Sequence, residues 1–265
     1  MDIRFAQLKN FIEIYPCILV NVQEVKGSTP REKDAFMLVN EKNSIGTIGG
    51  GNLEFLAIEQ AKKMLDNNEA EQILDITLGK DSAQCCGGFV KLKLQILENK
   101  SLENLIKKIK KQEENLPRIY LFGAGHVGKA LANLLAQMPY KTTLIDTRPN
   151  VMINIAPNIK TKITPLPETI IRQAKPNSAF VIFTHDHALD FLLLSEILNR
   201  NDFSFAGMIG SKTKRKKFEK FYLKNNGTKE NLQKITCPIG SDTLVDKRPA
   251  IIAALTLAQI ISNIK

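Results

Sequence analysis

Hydrophobic and polar positions change their period along the chain, and the changes divide it. Residues 5–14 repeat at helical spacing. CILVNVQEV (17–25), AFMLVN (35–40) and SIGTI (44–48) are β-branched or apolar runs that predict strands, with a Gly-, Ser- and Pro-containing turn in KGSTPRE. In GGGNLEFLAIEQAKKML (49–65), three glycines open an apolar-periodic helix predicted from about Asn52. EQILDITL (71–78) and FVKLKLQIL (89–97) are further strands, the second placing Val90, Leu92, Leu94 and Ile96 on one face. In ENKSLENLIKKIKKQEENLP (98–117), Leu102, Leu105, Ile106 and Ile109 mark an amphipathic helix that Pro117 ends.

Beyond residue 117 strands and helices alternate. RIYLFGAG (118–125) is a strand entering glycines, HVGKALANLLAQM (126–138) a helix and KTTLIDT (141–147) a strand. Strands follow in IKTKIT (159–164), SAFVIFTHDH (178–187) and FSFAGMIG (203–210), with helices at 188–199, after Ser211, and over about 248–263. The expected fold class is α/β: an N-terminal mixed α/β domain, then a Rossmann-like, doubly wound, mostly parallel sheet. Expected boundaries are 1–97 for the first domain, 98–117 for a helical linker and 118–265 for the second.

Composition narrows the function classes. The chain has 265 residues and a formal net charge of +10. Only eight of its 37 basic residues are arginine and tryptophan is absent, which points away from nucleic-acid reading. No apolar run is long enough to span a bilayer, and the opening MDIRFAQLKNFIEIYP lacks the features of a signal peptide. A cytoplasmic protein without a membrane partner is expected.

GAGHVG (123–128) is G-x-G-x-x-G between a predicted strand and a predicted helix. Gly123 serves the turn, Gly125 lets a phosphate approach, and Gly128 lets helix and strand pack. His126 lies inside the loop. Asp146, ending the next strand, is placed to bind a ribose hydroxyl, and an NAD-dependent oxidoreductase is one reading of this set. Thr184, His185, Asp186 and His187 follow a strand, in the region where open α/β sheets bind ligands. Acid–base work or metal holding by His185 and His187 stands beside the plainer reading of a helix cap and loop. The three histidines are expected to converge on one cleft. Ser211 is a predicted N-cap; Lys212, Lys214 and Arg215 either form a solvated face or meet phosphate.

The four cysteines do not form a disulfide framework, and two of them, Cys85 and Cys86, are adjacent and followed by Gly87 and Gly88. Thiolates are soft metal ligands, and the glycines leave room for a bulky ligand; the alternative is a buried thiol on a tight turn. Cys17 reads as core.

GSTPRE, GTIGGGNLE, QCCGG, LFGAGHVGKAL, LIDTRP, THDHALD, MIGSKTKRKKF and CPIG, in that order, resemble the xanthine dehydrogenase accessory protein family, the XdhC/CoxI family, and its XdhC branch in particular. After CPIG, Lys247, Arg248 and Pro249 fill the place of a Lys-acid-Pro stretch. The resemblance implies a chaperone that binds the molybdenum cofactor, holds it while a cysteine desulfurase sulfurates it, and helps insert it into xanthine dehydrogenase. It also implies a homodimer. With that resemblance, Cys85 or Cys86 is expected to contact molybdenum or carry sulfur, and Gly49, Gly50, Gly51 and Glu54 to form the opposite wall.

Overall fold

A computed structural model of the chain describes residues 3–13, 16–78, 88–240 and 246–264. The chain divides into two units, Met1–Asn115 and Leu116–Lys265.

The first unit runs α1 (Phe5–Phe11), β1 (Ile18–Lys26), β2 (Phe36–Val39), β3 (Ser44–Gly46), α2 (Gly51–Asn67), β4 (Glu71–Thr77), β5 (Phe89–Ile96) and α3 (Asn99–Asn115). The strands form an antiparallel sheet in the order β3-β2-β1-β5-β4. Period-two alternation sends Val20 and Val22 of β1, and Leu92 and Leu94 of β5, to the face that packs on Leu53, Ala57, Ala61 and Met64 of α2. Leu19, Leu38 and Leu97 turn to the other face, against Leu8, Phe11, Leu105 and Ile109 of α1 and α3. The segment expected as a linker is therefore an integral helix of this unit. Its apolar stripe is buried and its Lys/Glu face is solvated. The chain divides only after Asn115.

The second unit runs β6 (Arg118–Phe122), α4 (His126–Leu135), β7 (Lys141–Asp146), β8 (Lys160–Ile163), α5 (Glu168–Gln173), β9 (Ala179–Ile182), α6 (His187–Arg200), β10 (Phe205–Met208), α7 (Lys212–Lys224), α8 (Lys229–Leu232), β11 (Ile235–Thr236) and α9 (Pro249–Asn263). Its sheet, β11-β10-β9-β6-β7-β8, is parallel at every pairing, as the alternating pattern predicts. Counted by appearance the order is 3-2-1-4-5-6, the Rossmann arrangement. β9 and β10 are buried at all four positions because helices cover both faces. Phe122, Phe180, Ile182 and Met208 pack with α5, α6 and α7, while Leu121, Val181 and Phe205 pack with α4 and α9. The chain reverses direction across the sheet between β6 and β9. There the loops at the carboxyl ends part and leave a crevice.

Candidate functional site

The three glycines after β6 do different work. Gly123 has φ 111°, and a Cβ there would come within 2.5 Å of the Phe183 carbonyl oxygen. A Cβ on Gly128 would lie 1.9 Å from the Gly123 oxygen, so α4 packs on the loop only without one. Gly125 differs, because a Cβ there would meet nothing within 4 Å. It is the N-cap of α4, and no side chain caps the helix. The start of α4 thus presents backbone N–H groups to open space, the geometry that binds phosphate.

Asp146 does not stand ready for a sugar. Its Oδ2 accepts from the Ala124 N–H at 2.7 Å and from Arg148 Nη2 at 2.9 Å. Its Oδ1 accepts from the Arg148 N–H at 2.9 Å and from Nε at 3.0 Å. Burial alone would raise this carboxyl; the Arg148 side chain and the N–H groups of Arg148 and Ala124 more than offset that and hold it down to about 2. The acid serves the loop from within.

At the end of β9, Asp186 caps α6 by accepting from the Ala188 and Leu189 N–H groups at 2.8 and 3.4 Å. The capping reading of this motif therefore holds for Asp186. A narrow crevice lies beside it, lined by Gly123, Asp146, Thr184 and His185 and by Leu189 and Leu193. Of the three histidines only His185 lines it. His126 and His187 stand exposed in the first turns of α4 and α6, so the expected convergence on one cleft is not what forms.

Asp190 was not singled out from the sequence, and it organises this edge. It is fully buried, accepts from the Thr184 hydroxyl at 2.6 Å, and pairs with the Lys214 ammonium. Lys214 also donates to the Ile209 carbonyl at 2.9 Å. His187 Nδ1 lies 3.8 Å from Asp190 Oδ2, with its ring 80% exposed. The pair joins the β9–α6 and β10–α7 connections. Ser211 caps α7 as expected, accepting from the Lys214 N–H. Arg215 turns inward, donating to Glu219 and to the carbonyls of Leu232, Ile235 and Cys237. Lys214 is nearly buried, and Arg215, about one-third exposed, is engaged with the protein's own acceptors.

In the first unit, Glu54 occupies the glycine turn ahead of α2. Its Oε1 accepts from the Thr47 hydroxyl and from the N–H groups of Ile48, Gly49 and Gly50, the last at 2.8 Å. Burial would raise the Glu54 carboxyl, and these four donors hold it below the usual carboxylate range. The Gly49–Gly51 turn is filled by the protein's own anion.

Cys85, Cys86 and Gly87 lie outside the described residues. Gly88 does not leave room for a ligand: a Cβ there would lie 2.3 Å from the Ser28 carbonyl oxygen, so the chain itself takes that space. Cys17 is buried in the first core, and Cys237 in the second; burial pushes each thiol up to about 11. Among the described residues no three His, Cys, Asp or Glu side chains are grouped to hold a metal, and no helix is long and apolar enough to cross a membrane.

A family model described as the XdhC Rossmann domain matches residues 119–260, more than half of the chain. The chain belongs to the XdhC family. A second model, for the XdhC and CoxI family, matches residues 15–76. Among curated proteins, the uncharacterized protein YqeB of Escherichia coli strain K12 is 22% identical over 257 residues, 93% of this chain and 43% of that protein. A probable xanthine dehydrogenase subunit from Bacillus subtilis strain 168 is 30% identical over 107 residues, 39% of this chain and 32% of that protein. This XdhC-family chain thus spans less than half the length of either curated relative. In fold it matches a crystal structure of a xanthine dehydrogenase from Bacillus halodurans, with a TM-score of 0.79 over 99% of this chain and 96% of that one, at 18% identity.

Proposed function

We propose that this XdhC-family protein is a maturation factor for xanthine dehydrogenase, with the molybdenum cofactor as its cargo. In this reading the protein holds the cofactor while a cysteine desulfurase supplies the sulfido ligand, and then passes it to the enzyme. The reading takes the protein as a cytoplasmic homodimer.

The observation that carries it is the open helix start at Gly125, inside residues matched to the family's Rossmann domain. The cofactor is a pterin with one phosphate, and an uncapped helix N-terminus beside a side-chain-free position fits that phosphate. His185 and Thr184 supply polar groups at the adjoining crevice, and Leu189 and Leu193 give it an apolar lining. The residues present fit the phosphate end of the cargo. Cys85 and Cys86 are in this reading the candidate soft thiol donors for sulfur chemistry. An NAD site would instead need a carboxylate with free acceptors, and both oxygens of Asp146 are taken by Ala124 and Arg148.

The test is to express the protein in a host that makes molybdenum cofactor, desalt it, and measure bound molybdenum and pterin beside a Cys85→Ala/Cys86→Ala variant. Both ligands bound to wild type and lost from the variant is the expected result. Pterin surviving in the variant removes the thiols from the mechanism. Neither ligand bound, in a host that loads a control carrier, ends this reading and turns the question to NAD titration.

A further inference from the structure

Helix α7 has two unlike sides. Phe218 and Tyr222 are buried in the core, and Lys214 and Arg215 turn inward to Asp190 and to backbone carbonyls. The other side carries Lys212, Lys216, Lys217, Lys220 and Lys224, all exposed. Among the described residues none of these five enters an ion pair. The helix's one acid, Glu219, is taken by Arg215 at 3.0 Å. At about 100° per residue the lysines fall opposite Phe218 and Tyr222, and they run about 18 Å along the axis. Phe221 and Leu223, each 40% exposed, stand among them.

Leaving such a face unpaired is costly unless something answers it. Like charges at i, i+4 repel, as Lys212, Lys216, Lys220 and Lys224 must, and each weakens the isolated helix by a few tenths of a kcal/mol. The surface is cationic and edged with apolar area. We infer that the outer face of α7 docks an acidic protein surface. Carboxylates would meet the lysines, and Phe221 and Leu223 would supply the apolar contact that protein interfaces bury. Phosphate readers favour arginine forks, and the only arginine of α7 is turned inward. The helix's fully apolar side is in the core, so it is not available to enter a lipid surface.

The position of the face gives it a use. α7 begins at the carboxyl edge of β10. Its Lys214 meets Asp190, and Asp190 holds Thr184, which lines the cleft. A partner seated on α7 therefore contacts the helix whose first turn holds Asp190 and, through it, Thr184 of the crevice. The inference goes beyond the proposed function because it names a surface and the chemistry of its partner, whatever the cargo.

The experiment compares wild type with Lys216→Glu/Lys217→Glu/Lys220→Glu, and with an equal charge change elsewhere, Lys62→Glu/Lys63→Glu/Lys111→Glu. Circular dichroism melts confirm that all three fold. The probe is poly-L-glutamate, titrated at low and moderate salt. The α7 variant is expected to bind at least about tenfold more weakly and the control variant within about threefold of wild type. Equal losses in both variants would mean unspecific charge and overturn the inference. Duplex DNA binding wild type more tightly than poly-L-glutamate, through the same lysines, would also overturn it in favour of a nucleic-acid face. Xanthine dehydrogenase is then the second probe, and this arm rests on the proposed function. Failure of wild type to bind the enzyme counts against that function while leaving the poly-L-glutamate result standing. Equal binding of the enzyme by wild type and the α7 variant would place that client's contact elsewhere and overturn α7 as its docking face.

Discussion

Asp146 and Glu54 solve the same problem in the two units. Each carboxylate takes backbone N–H groups of a glycine-rich turn, and each is held acidic by doing so. For Asp146 the effect is large enough to test. Its carboxyl sits at about 2 against an ordinary 3.8, and its side chain is only 3% exposed. A group whose pKa is depressed by folding adds stability above its unfolded pKa and loses it as pH falls through the folded one. Ionised Asp146, bonded to Arg148 and to the Ala124 N–H, should therefore contribute about 2 kcal/mol above pH ~4, fading toward pH ~2. Asp146→Asn is expected to cost about that much at neutral pH and to flatten the acid limb. Denaturant melts from pH 2 to 7 on both proteins check it. Parallel acid limbs would show that other carboxylates carry the acid sensitivity.

At the scale of elements, the glycine loop separates two jobs that one motif usually hides. Gly128→Ala would drive a Cβ into the Gly123 carbonyl, a backbone atom that cannot swing aside, so α4 must move. Its expected cost is about 2 kcal/mol or more, with the cleft disturbed. Gly125→Ala meets open space at φ −74°, so its stability should stay within about 0.5 kcal/mol of wild type. The new methyl would stand where the phosphate approaches, and copurifying pterin should fall. Thermal melts and pterin assays on both variants read the two jobs apart. Unchanged pterin in Gly125→Ala would remove this helix start from cargo binding. Much of this was legible in the sequence. Strand-glycine-helix context marked the loop, and four-residue buried runs such as AFVI and FAGM marked central parallel strands. What escaped was short or distant. α5 is six residues long between prolines and a turn, and β11 is two residues, too short for any period to register. Asp190 escaped because its partner Lys214 is 24 residues away, and an acid in a largely apolar helix carries no sign of its partner. Glu54 was named for the cofactor wall, and nothing in GGGNLE tells that its carboxylate folds back on the turn before it.

At the scale of the whole molecule, the question is where one folding unit ends. Lys/Glu density over 98–117 reads as a linker, because polar side chains are what a solvated linker and a solvated helix face share. The stripe beneath them decides between the two. Leu105 and Ile109 of α3 are buried in the first unit's core, and Glu113 accepts from the Phe5 N–H at 2.7 Å, tying α3 to α1. Burying two such aliphatic side chains contributes about 3–6 kcal/mol. That is comparable with the roughly 5–15 kcal/mol by which a domain is stable at all. Residues 1–115, produced alone, should therefore melt cooperatively, whereas 1–97 should lack a sharp transition and expose the apolar surface of Leu8, Phe11 and Leu97. Residues 116–265, which hold a complete doubly wound sheet and two cores of their own, should also melt as a unit. Calorimetry on the three fragments gives the answer. A cooperative 1–97 fragment as stable as 1–115 would return α3 to the role of a linker. A non-cooperative 1–115 fragment would mean that the first unit's stability depends on residues beyond Asn115.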